Sequence, residues 1–393
     1  MKIISLTHAR AALAGIGVVA VSVTTAAAVT LPASAQTLVW SVVPSPSPGP
    51  VTNALYGVSC ISATACTAVG NYTPGSGGTR TLIESWNGTS WSVVPSPSPS
   101  ATGNWLNGVS CVSAAACIAV GFKSTSSTQN HYATLAESWD GTNWSVVPSP
   151  SPSATRNFLS DVSCVSATAC TAVGSRRVNG LDKTLIESWN GTTWSVVPSR
   201  NPSANNDRLG GVSCLSATAC TAVGSYDSGL LTRGLIESWN GTRWSKVFSP
   251  RRGFWDVLGS VSCASATACI AVGIYAGGSE HTSIESWNGT SWSVVPSPSR
   301  PEPELNRVSC GSAAACTAVG TYHPGGGSHT KTLIMSLDGT SWSVVPSPSP
   351  GPGFNRLDGV SCVSAAACTA VGTQDINNLA ASRTLIESGS VSG

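Results

Sequence analysis

The sequence predicts an all-β protein, a seven-bladed β-propeller with four strands in each blade. Three observations support this fold. Seven pairs of cysteines recur along the chain, and the first cysteines of successive pairs are 47 to 53 residues apart. Each repeat contains four short segments rich in β-forming residues. A single strand segment precedes the first repeat, and the last repeat lacks its equivalent.

The first repeat shows how the four strands are read from the residues. Its strands are predicted at 55–60, 65–72, 81–86 and 91–94. A leucine five positions before the first cysteine, Leu55 here, recurs in all seven repeats. The Asn87-Gly88 pair predicts a two-residue hairpin turn between the third and fourth strands, because both residues can adopt a positive φ. Pro95 ends the fourth strand, since proline cannot donate to a neighbouring strand.

The two ends of the repeat array are complementary. Residues 38–48 match only the fourth strand of a repeat and the proline-rich segment after it. The seventh repeat reaches its third strand at 384–388 and has no fourth. We therefore expect residues 40–43 to complete the last blade and close the ring, which removes an exposed sheet edge.

Proline-rich segments such as Pro95-Ser-Pro-Ser-Pro99 separate the repeats. In a propeller the chain returns from the outer strand of one blade to the inner strand of the next, across roughly 14 Å. Five or six residues in the polyproline II conformation span roughly 16–19 Å. These lengths favour blade crossovers over the alternative, linkers between independent domains.

The cysteines are expected to form disulfides within each repeat. Exported proteins use evenly paired cysteines in this way, whereas a C-x5-C spacing is unusual for zinc and no histidine recurs in phase with it. We therefore expect no metal site, no cofactor and no free catalytic thiol. The predicted pairs are Cys60–Cys66, Cys111–Cys117, Cys164–Cys170, Cys214–Cys220, Cys263–Cys269, Cys310–Cys316 and Cys362–Cys368.

Residues 1–35 have the pattern of a secretory signal peptide. Lys2 and Arg10 form a sparse basic start, an apolar run follows, and Ala33-Ser-Ala35 gives the small-residue cleavage pattern. The alternative is an uncleaved membrane anchor, because the apolar run at 11–29 is just long enough to cross a bilayer. Cleavage would leave one secreted, extracellular domain at 36–393 without a membrane segment, and we expect it to be monomeric.

Composition and motifs exclude several classes of function. Lys and Arg total 20 against 18 Asp and Glu, so no nucleic-acid partner is expected. The G-x-S-x-G, H-E-x-x-H and phosphate-loop motifs are absent. The glutamate repeated in the third strand, Glu84 in the first repeat, cannot converge with its copies on one substrate, because a ring's symmetry separates them. We interpret it, with the repeated Trp86 and Trp91, as structural.

The two faces of the predicted propeller differ in sequence. The turns between the two cysteines of each pair, which join the first and second strands, are called the Cys turns here. They share one face with the Asn-Gly turns, and both kinds of turn are nearly invariant among the repeats. The loops joining second to third strands and the blade crossovers share the other face, which varies and holds most charges. Variable loops on a rigid scaffold are where binding surfaces are built. The candidate binding residues on this face are Trp105, Phe158, Arg208, Trp255, Arg307 and Arg356, and all of them except Trp255 are expected around the mouth of the central channel.

The outer hairpin carries a family resemblance. The stretch Ser-Trp-Asn-Gly-Thr-Ser-Trp at 85–91 resembles the outer hairpins of kelch-type propellers and the Asp-box of sialidase-type propellers. It is one residue shorter than the Asp-box and has Asn87 in place of Asp. The chain as a whole resembles secreted bacterial propeller-repeat proteins with cysteine-stapled blades. The resemblance implies the fold and supplies no catalytic residues.

Three hypotheses for the function remain open. The leading one is a secreted, non-catalytic scaffold that binds a glycan or a protein on the variable-loop face. The second is a secreted carbohydrate-active enzyme with a site at the channel mouth. The third is a structural protein of the cell surface.

The signal peptide predicts a defined mature terminus. Expression with export should release a protein that begins at Gln36, because the cleavage pattern ends at Ala35. N-terminal sequencing of the exported protein measures this. The variant Ala35→Asp should block cleavage, and a mature chain that retains Lys2 would contradict the prediction.

Overall fold

The computed structural model describes residues 38–127, 130–298, 300–325, 329–376 and 381–391. Within these ranges the chain forms 28 strands and no helix. The strands assemble into seven four-stranded antiparallel sheets, the blades of a ring. The predicted seven-bladed β-propeller is confirmed. The predicted signal peptide, 1–35, lies outside the described residues.

Each blade is built from consecutive strands, apart from the last, which also takes the first strand of the chain. The strands are β1 (Leu38–Val42); in blade 1 β2 (Asn53–Ser62), β3 (Ala65–Tyr72), β4 (Arg80–Trp86) and β5 (Trp91–Val93); in blade 2 β6 (Asn104–Ser113), β7 (Ala116–Ser124), β8 (Tyr132–Trp139) and β9 (Trp144–Val147); in blade 3 β10 (Asn157–Ser166), β11 (Ala169–Val178), β12 (Leu181–Trp189) and β13 (Trp194–Val196); in blade 4 β14 (Asp207–Ser216), β15 (Ala219–Ser228), β16 (Leu231–Trp239) and β17 (Trp244–Val247); in blade 5 β18 (Trp255–Ser265), β19 (Ala268–Ala276), β20 (Glu280–Trp287) and β21 (Trp292–Val294); in blade 6 β22 (Glu304–Ser312), β23 (Ala315–Tyr322), β24 (Lys331–Leu337) and β25 (Trp342–Val345); and in blade 7 β26 (Asn355–Ser364), β27 (Ala367–Asp375) and β28 (Ser382–Val391), completed by β1.

The ring closes as the sequence predicts. Strand β1 pairs antiparallel with β28, and Trp40 lies opposite Gly389. A Cβ atom at Gly389 would lie 2.7 Å from the Trp40 ring, so the indole packs directly on that backbone. The inner strands of blades 1 and 7, β2 and β26, contact each other like every other adjacent pair. The N-terminal strand thus covers the sheet edge that blade 7 would otherwise expose.

Seven apolar layers, one between each pair of neighbouring blades, form the core. The layer between blades 7 and 1 contains Leu55, Ala68 and Trp91 from blade 1 and Val371 and Ile386 from blade 7. The other six layers repeat this arrangement. Successive residues of a strand face opposite layers, because side chains alternate along a strand. The leucine that recurs before each first cysteine is at most 2% exposed in every blade.

The proline-rich segments are crossovers within the ring rather than linkers between domains. The crossover from blade 1 to blade 2 runs beside the third strand of its own blade. The Thr81 hydroxyl donates to the carbonyl oxygen of Pro97 at 2.8 Å, and the Thr81 amide donates to the Ser98 hydroxyl at 3.1 Å. These bonds hold the crossover in the wedge between two blades.

The hairpin at Asn87-Gly88 is confirmed, but its predicted turn type is wrong. Trp86 and Trp91 are the last paired residues, so the loop has four residues, 87–90, instead of two. Gly88 has a φ of 94°, whereas Asn87 is not among the described residues with a positive φ. The Asn87 side-chain oxygen accepts hydrogen bonds from the amides of Thr89 and Ser90, both at 3.0 Å. The asparagine therefore holds the loop with its side chain, as Asn commonly does in turns.

All seven predicted disulfides are confirmed, each joining the first and second strands of one blade. Their Cα atoms are 3.9 to 4.0 Å apart, and Cys60 lies directly opposite Cys66 in the strand pairing. None of the 14 cysteines is free. The blades are stapled one by one and not to each other.

The closing strand predicts an asymmetric response to mutation. Trp40→Ala should lower the free energy of unfolding by about 3–5 kcal/mol, since the indole is 6% exposed and packs in the last layer. Val39→Ala on the same strand is the control, because Val39 is 58% exposed and should change little. Denaturant unfolding of both variants measures this. Equal stability of the two variants would show that β1 does not close the ring.

Candidate binding face

The propeller has two chemically different faces. The turn face is formed by the Cys turns and the Asn-Gly turns, and the Trp86 indole N–H joins them by donating to the carbonyl oxygen of Ala63 at 3.2 Å. Blades 2 to 5 repeat this bond. The loop face is formed by the loops joining second to third strands and by the blade crossovers. The turn face is uniform, whereas the loop face carries the residues that break the repeat.

The repeated glutamates are buried between blades, as the structural interpretation requires. Their side chains are fully buried in all six repeats that have one, and Met335 takes the place in blade 6. The Glu187 carboxylate accepts a hydrogen bond from Ser149 in the preceding crossover at 2.7 Å, and Ser347 bonds Glu387 likewise at 3.0 Å. Burial raises the pKa of Glu137 to about 8 and that of Glu187 to about 7. Each glutamate sits in its own interblade layer.

A second repeated polar residue, missed by sequence reasoning, positions the loop face. An Asn begins the inner strand of four blades, and an Asp takes its place in blades 4 and 5. Asn104 is fully buried; its amide nitrogen donates to the carbonyl oxygen of Ser100 at 2.7 Å, and its oxygen accepts from the Ser100 amide at 2.9 Å. Its signal was available, since it always lies two residues before the repeated leucine.

Arg307 reaches across the central channel. It extends from blade 6 and donates to the carbonyl oxygens of Ser160 at 3.1 Å, Gly210 at 3.2 Å and Gly259 at 3.4 Å. These acceptors belong to the inner strands of blades 3, 4 and 5. The Asp161 carboxylate lies 3.8 Å from the guanidinium, and burial raises its pKa against the attraction of Arg307. Arg307 thus ties four blades together inside the channel.

Arg356 lies on blade 7, next to the blade that carries Arg307. Its guanidinium contacts the Asp358 carboxylate at 2.5 Å and donates to Asn306 at 3.4 Å. Burial raises the pKa of Asp358 to about 6, although Arg356 opposes that shift. Burial and the charge of Asp358 also raise the pKa of Tyr56. The channel therefore holds a polar network whose most exposed charged member is Arg356, with 37% of its side chain exposed.

Trp105 and Phe158, predicted as separate binding residues, meet in one aromatic cluster between blades 2 and 3. Trp105 stacks on Phe122 with ring centroids 4.8 Å apart, and Phe158 packs edge-on against Phe122 at 4.8 Å. Tyr132 completes the cluster at 5.2 Å from Phe158. Four rings in contact make a rigid platform under the loop face.

A shallow depression opens beside this platform. Its volume is about 340 Å³, and Trp105 and Tyr132 line it together with Ser124 and Asn130. Hydroxyl and amide groups next to aromatic rings suit a neutral polar ligand.

Arg208 belongs to an ion-pair group at the edge of blades 3 and 4. Its guanidinium lies 2.6 Å from the Asp182 carboxylate, which also contacts Arg177 at 3.2 Å. The Arg208 side chain is 55% exposed, so this pair stabilises the fold little. It orders the loop surface.

Trp255 stands at the end of the crossover from blade 4 to blade 5. This crossover departs most from the repeat, since Lys246 and Phe248 replace the Val and Pro found in the other six copies. Arg251, Arg252 and Phe254 follow. Of this crossover, the sequence analysis named only Trp255 as a candidate. It missed the cations and Phe248, which a comparison of the seven crossovers could have found. The six predicted residues therefore fall into four contact groups, and their role in binding stays a prediction.

Comparisons with known proteins show a similarity of fold. Neither a protein-family model nor a curated protein matches the sequence. A structure of YCF48 bound to D1 peptide matches with a TM-score of 0.55 at 13% identity, covering 93% of this chain and 100% of that one. YCF48 from Cyanidioschyzon merolae gives 0.55 at 14% identity, covering 88% and 98%, and a protein of unknown function from Dyadobacter fermentans gives 0.50 at 10%, covering 91% and 99%. The likeness is one of fold. The kelch-type resemblance stays a prediction.

Two further observations concern the compartment. Seven disulfides indicate an oxidising environment. In the described ranges no helix is long and apolar enough to span a bilayer.

The buried glutamates predict that stability falls as pH rises. In the unfolded chain a glutamate titrates near 4.5, whereas the folded pKa values are about 7 to 8. Below pH 4.5 both states are protonated, and the stability is fully present. Between pH 4.5 and the folded pKa, the unfolded chain has already lost these protons, so each group lowers the free energy of unfolding by up to about 1.4 kcal/mol for every pH unit. Denaturant unfolding at pH 5 and pH 8.5 measures this difference.

The matched control is Glu137→Gln, since neither Glu137 oxygen has a hydrogen-bond partner. It should be more stable than the parent at pH 8.5, by about 1–3 kcal/mol, and nearly equal to it at pH 5. A stability that does not change with pH, or a loss at pH 8.5 on this substitution, contradicts the prediction.

Proposed function

We propose that this protein is a secreted, non-catalytic scaffold that binds a partner protein on its loop face. The observation that carries the proposal is the concentration of exposed aromatic and cationic residues on that face, while the turn face repeats one pattern. Phe248 is 69% exposed and Phe254 is 52% exposed, and both lie on one crossover. An exposed apolar patch on a rigid scaffold is a typical protein-interaction surface.

A protein ligand is also supported by the comparison with YCF48, whose structure contains a D1 peptide. Secretion is supported by the residues of the signal pattern and by the seven disulfides. A glycan is the second candidate ligand, and the depression beside Trp105 and Tyr132 favours it.

The residues favour binding over catalysis. Glycoside hydrolysis uses two carboxyl groups that flank one bond. The six repeated glutamates lie in six different layers, fully buried. The channel carboxyl with the clearest raised pKa, Asp358, is 8% exposed and paired with Arg356. None of these carboxyl groups is placed with a second one across a shared open site. A structural role at the cell surface is compatible with the same scaffold and predicts no ligand.

The test identifies ligands and then determines which face of the propeller binds them. A random peptide display library and a glycan array are screened with the mature protein. Peptide binding should be enriched and should fall about tenfold or more when exposed loop-face residues, Phe248 and Phe254, are replaced by Ala. Thr89→Ala and Arg243→Ala on the turn face are the controls and should leave binding unchanged.

Several outcomes contradict the proposal. Peptides that depend on Arg243 rather than on the loop face would move the site to the other face. If only glycans bind, and Trp105→Ala abolishes that binding, the ligand is a carbohydrate and not a partner protein. Hydrolysis of a glycan that stops in Asp358→Asn would establish the enzyme alternative.

A further inference from the structure

One crossover departs from the rest of the ring in charge and in exposed apolar surface. Six of the seven copies read Ser-Val-Val-Pro after the tryptophan of the fourth strand, whereas the copy leaving blade 4 reads Ser245-Lys-Val-Phe248. From Lys246 to Trp255 this crossover holds three cations, two phenylalanines and no acidic residue. We call residues 246–255, with Arg233 beside them, the basic crossover.

Three of the four cations of the basic crossover are held in place by rings or by the backbone. The Lys246 ammonium lies 3.9 Å from the centre of the Tyr226 ring, and the Arg252 guanidinium lies 3.7 Å from that of Tyr275. Arg233 donates to the carbonyl oxygen of Gly253 at 3.1 Å. A cation over an aromatic face is oriented without being neutralised, so its charge stays available to a ligand.

The charges of the basic crossover are not balanced within the described part of the chain. None of its four cations has a carboxylate within 4.0 Å there. Two acids interact with these arginines, Asp256 with Arg252 and Arg233, and Glu285 with Arg252. Both are fully buried, and burial raises their pKa values to about 6 and about 8. One terminal nitrogen of Arg252 is buried without a hydrogen-bond partner. That nitrogen is not accessible to a ligand, so the exposed side chains of Lys246 and Arg251 carry the charge that a ligand reaches first.

The apolar part of the surface is equally distinct. Phe248 and Phe254 are the two exposed aromatic side chains in the described ranges. Phe248, Arg251 and Lys246 line a pocket of about 80 Å³ together with Tyr226, Arg233 and the buried Asp256. Phenylalanine has no hydrogen-bonding group, so these rings suit apolar side chains better than sugar hydroxyls.

We propose that the basic crossover binds an extended acidic segment of a partner protein, with apolar side chains next to its carboxylates. The carboxylates pair with Arg251, Arg252 and Lys246, and the apolar side chains cover Phe248 and Phe254. Arginine is suited to this task because its planar fork binds a carboxylate through two parallel hydrogen bonds. The inference rests on the proposed function and names the partner chemistry of its loop face.

The experiment uses three labelled peptides of equal length and fluorescence anisotropy with the mature protein. The first peptide repeats Asp-Phe-Glu-Leu, the second replaces its acids by Asn and Gln, and the third replaces its apolar residues by Ser. The first should bind more tightly than either of the others by about tenfold or more, and its affinity should fall with rising salt.

The key variant restores the repeat pattern. Lys246→Val combined with Phe248→Pro gives this crossover the Ser-Val-Val-Pro sequence of the other six, so it is expected to fold. It should weaken binding of the first peptide about tenfold or more, and Arg251→Gln should weaken it in the same direction. Arg243→Gln, an exposed arginine on the turn face, is the matched control and should not change binding.

The inference is overturned if the first peptide does not bind, or if it binds no better than the uncharged second peptide. Equal weakening by Arg243→Gln would assign the effect to overall charge. A heparin fragment and a single-stranded oligonucleotide are tested as competing polyanions. If either binds more tightly than the first peptide and loses the same affinity in the repeat-restoring variant, the ligand is that kind of polyanion and not a protein segment. If library peptides of another composition still require the loop face, this inference fails alone, and the proposed function stands.

Discussion

Burial of both faces of every blade is the constraint on which the structure depends. A four-stranded blade has apolar residues on both sides, such as Leu82 and Ile83 in adjacent positions of β4, and each side needs a neighbouring blade. Only a closed ring provides two neighbours for all seven blades. The pairing of β1 with β28 is therefore a requirement of the packing, because it completes the blade at which the ring closes.

The same constraint explains why the two faces diverge. The interblade layers require one sequence pattern in every repeat, and the Cys and Asn-Gly turns are short connections whose geometry is set by the paired strands. The crossovers must only span the wedge between blades, so Lys246 and Phe248 can replace Val and Pro without disturbing a layer. Chemical variation accumulates where the packing permits it, and this face is the one available for binding.

Much of the fold is predictable from the sequence because it repeats. Period, strand pattern and cysteine spacing occur seven times, and each copy supports the others. The turn at Asn87-Gly88 was predicted with the wrong type, because the side-chain bonds of Asn87 in a four-residue loop leave no separate mark in the sequence. The candidate site is less predictable because its residues do not repeat. Residues such as Arg307 occur once, and no second copy reveals their role.

The sequence by itself determined the number of blades, the disulfide pairs and the strand that closes the ring, since these follow from periodicity and local spacing. Only the tertiary structure decided which single residues meet. Trp105 and Phe158, 53 positions apart, join one aromatic cluster, while Arg307 and Arg356 become part of the channel network. Contacts between blades depend on the curvature of the ring and on side-chain reach, which no one-dimensional spacing records.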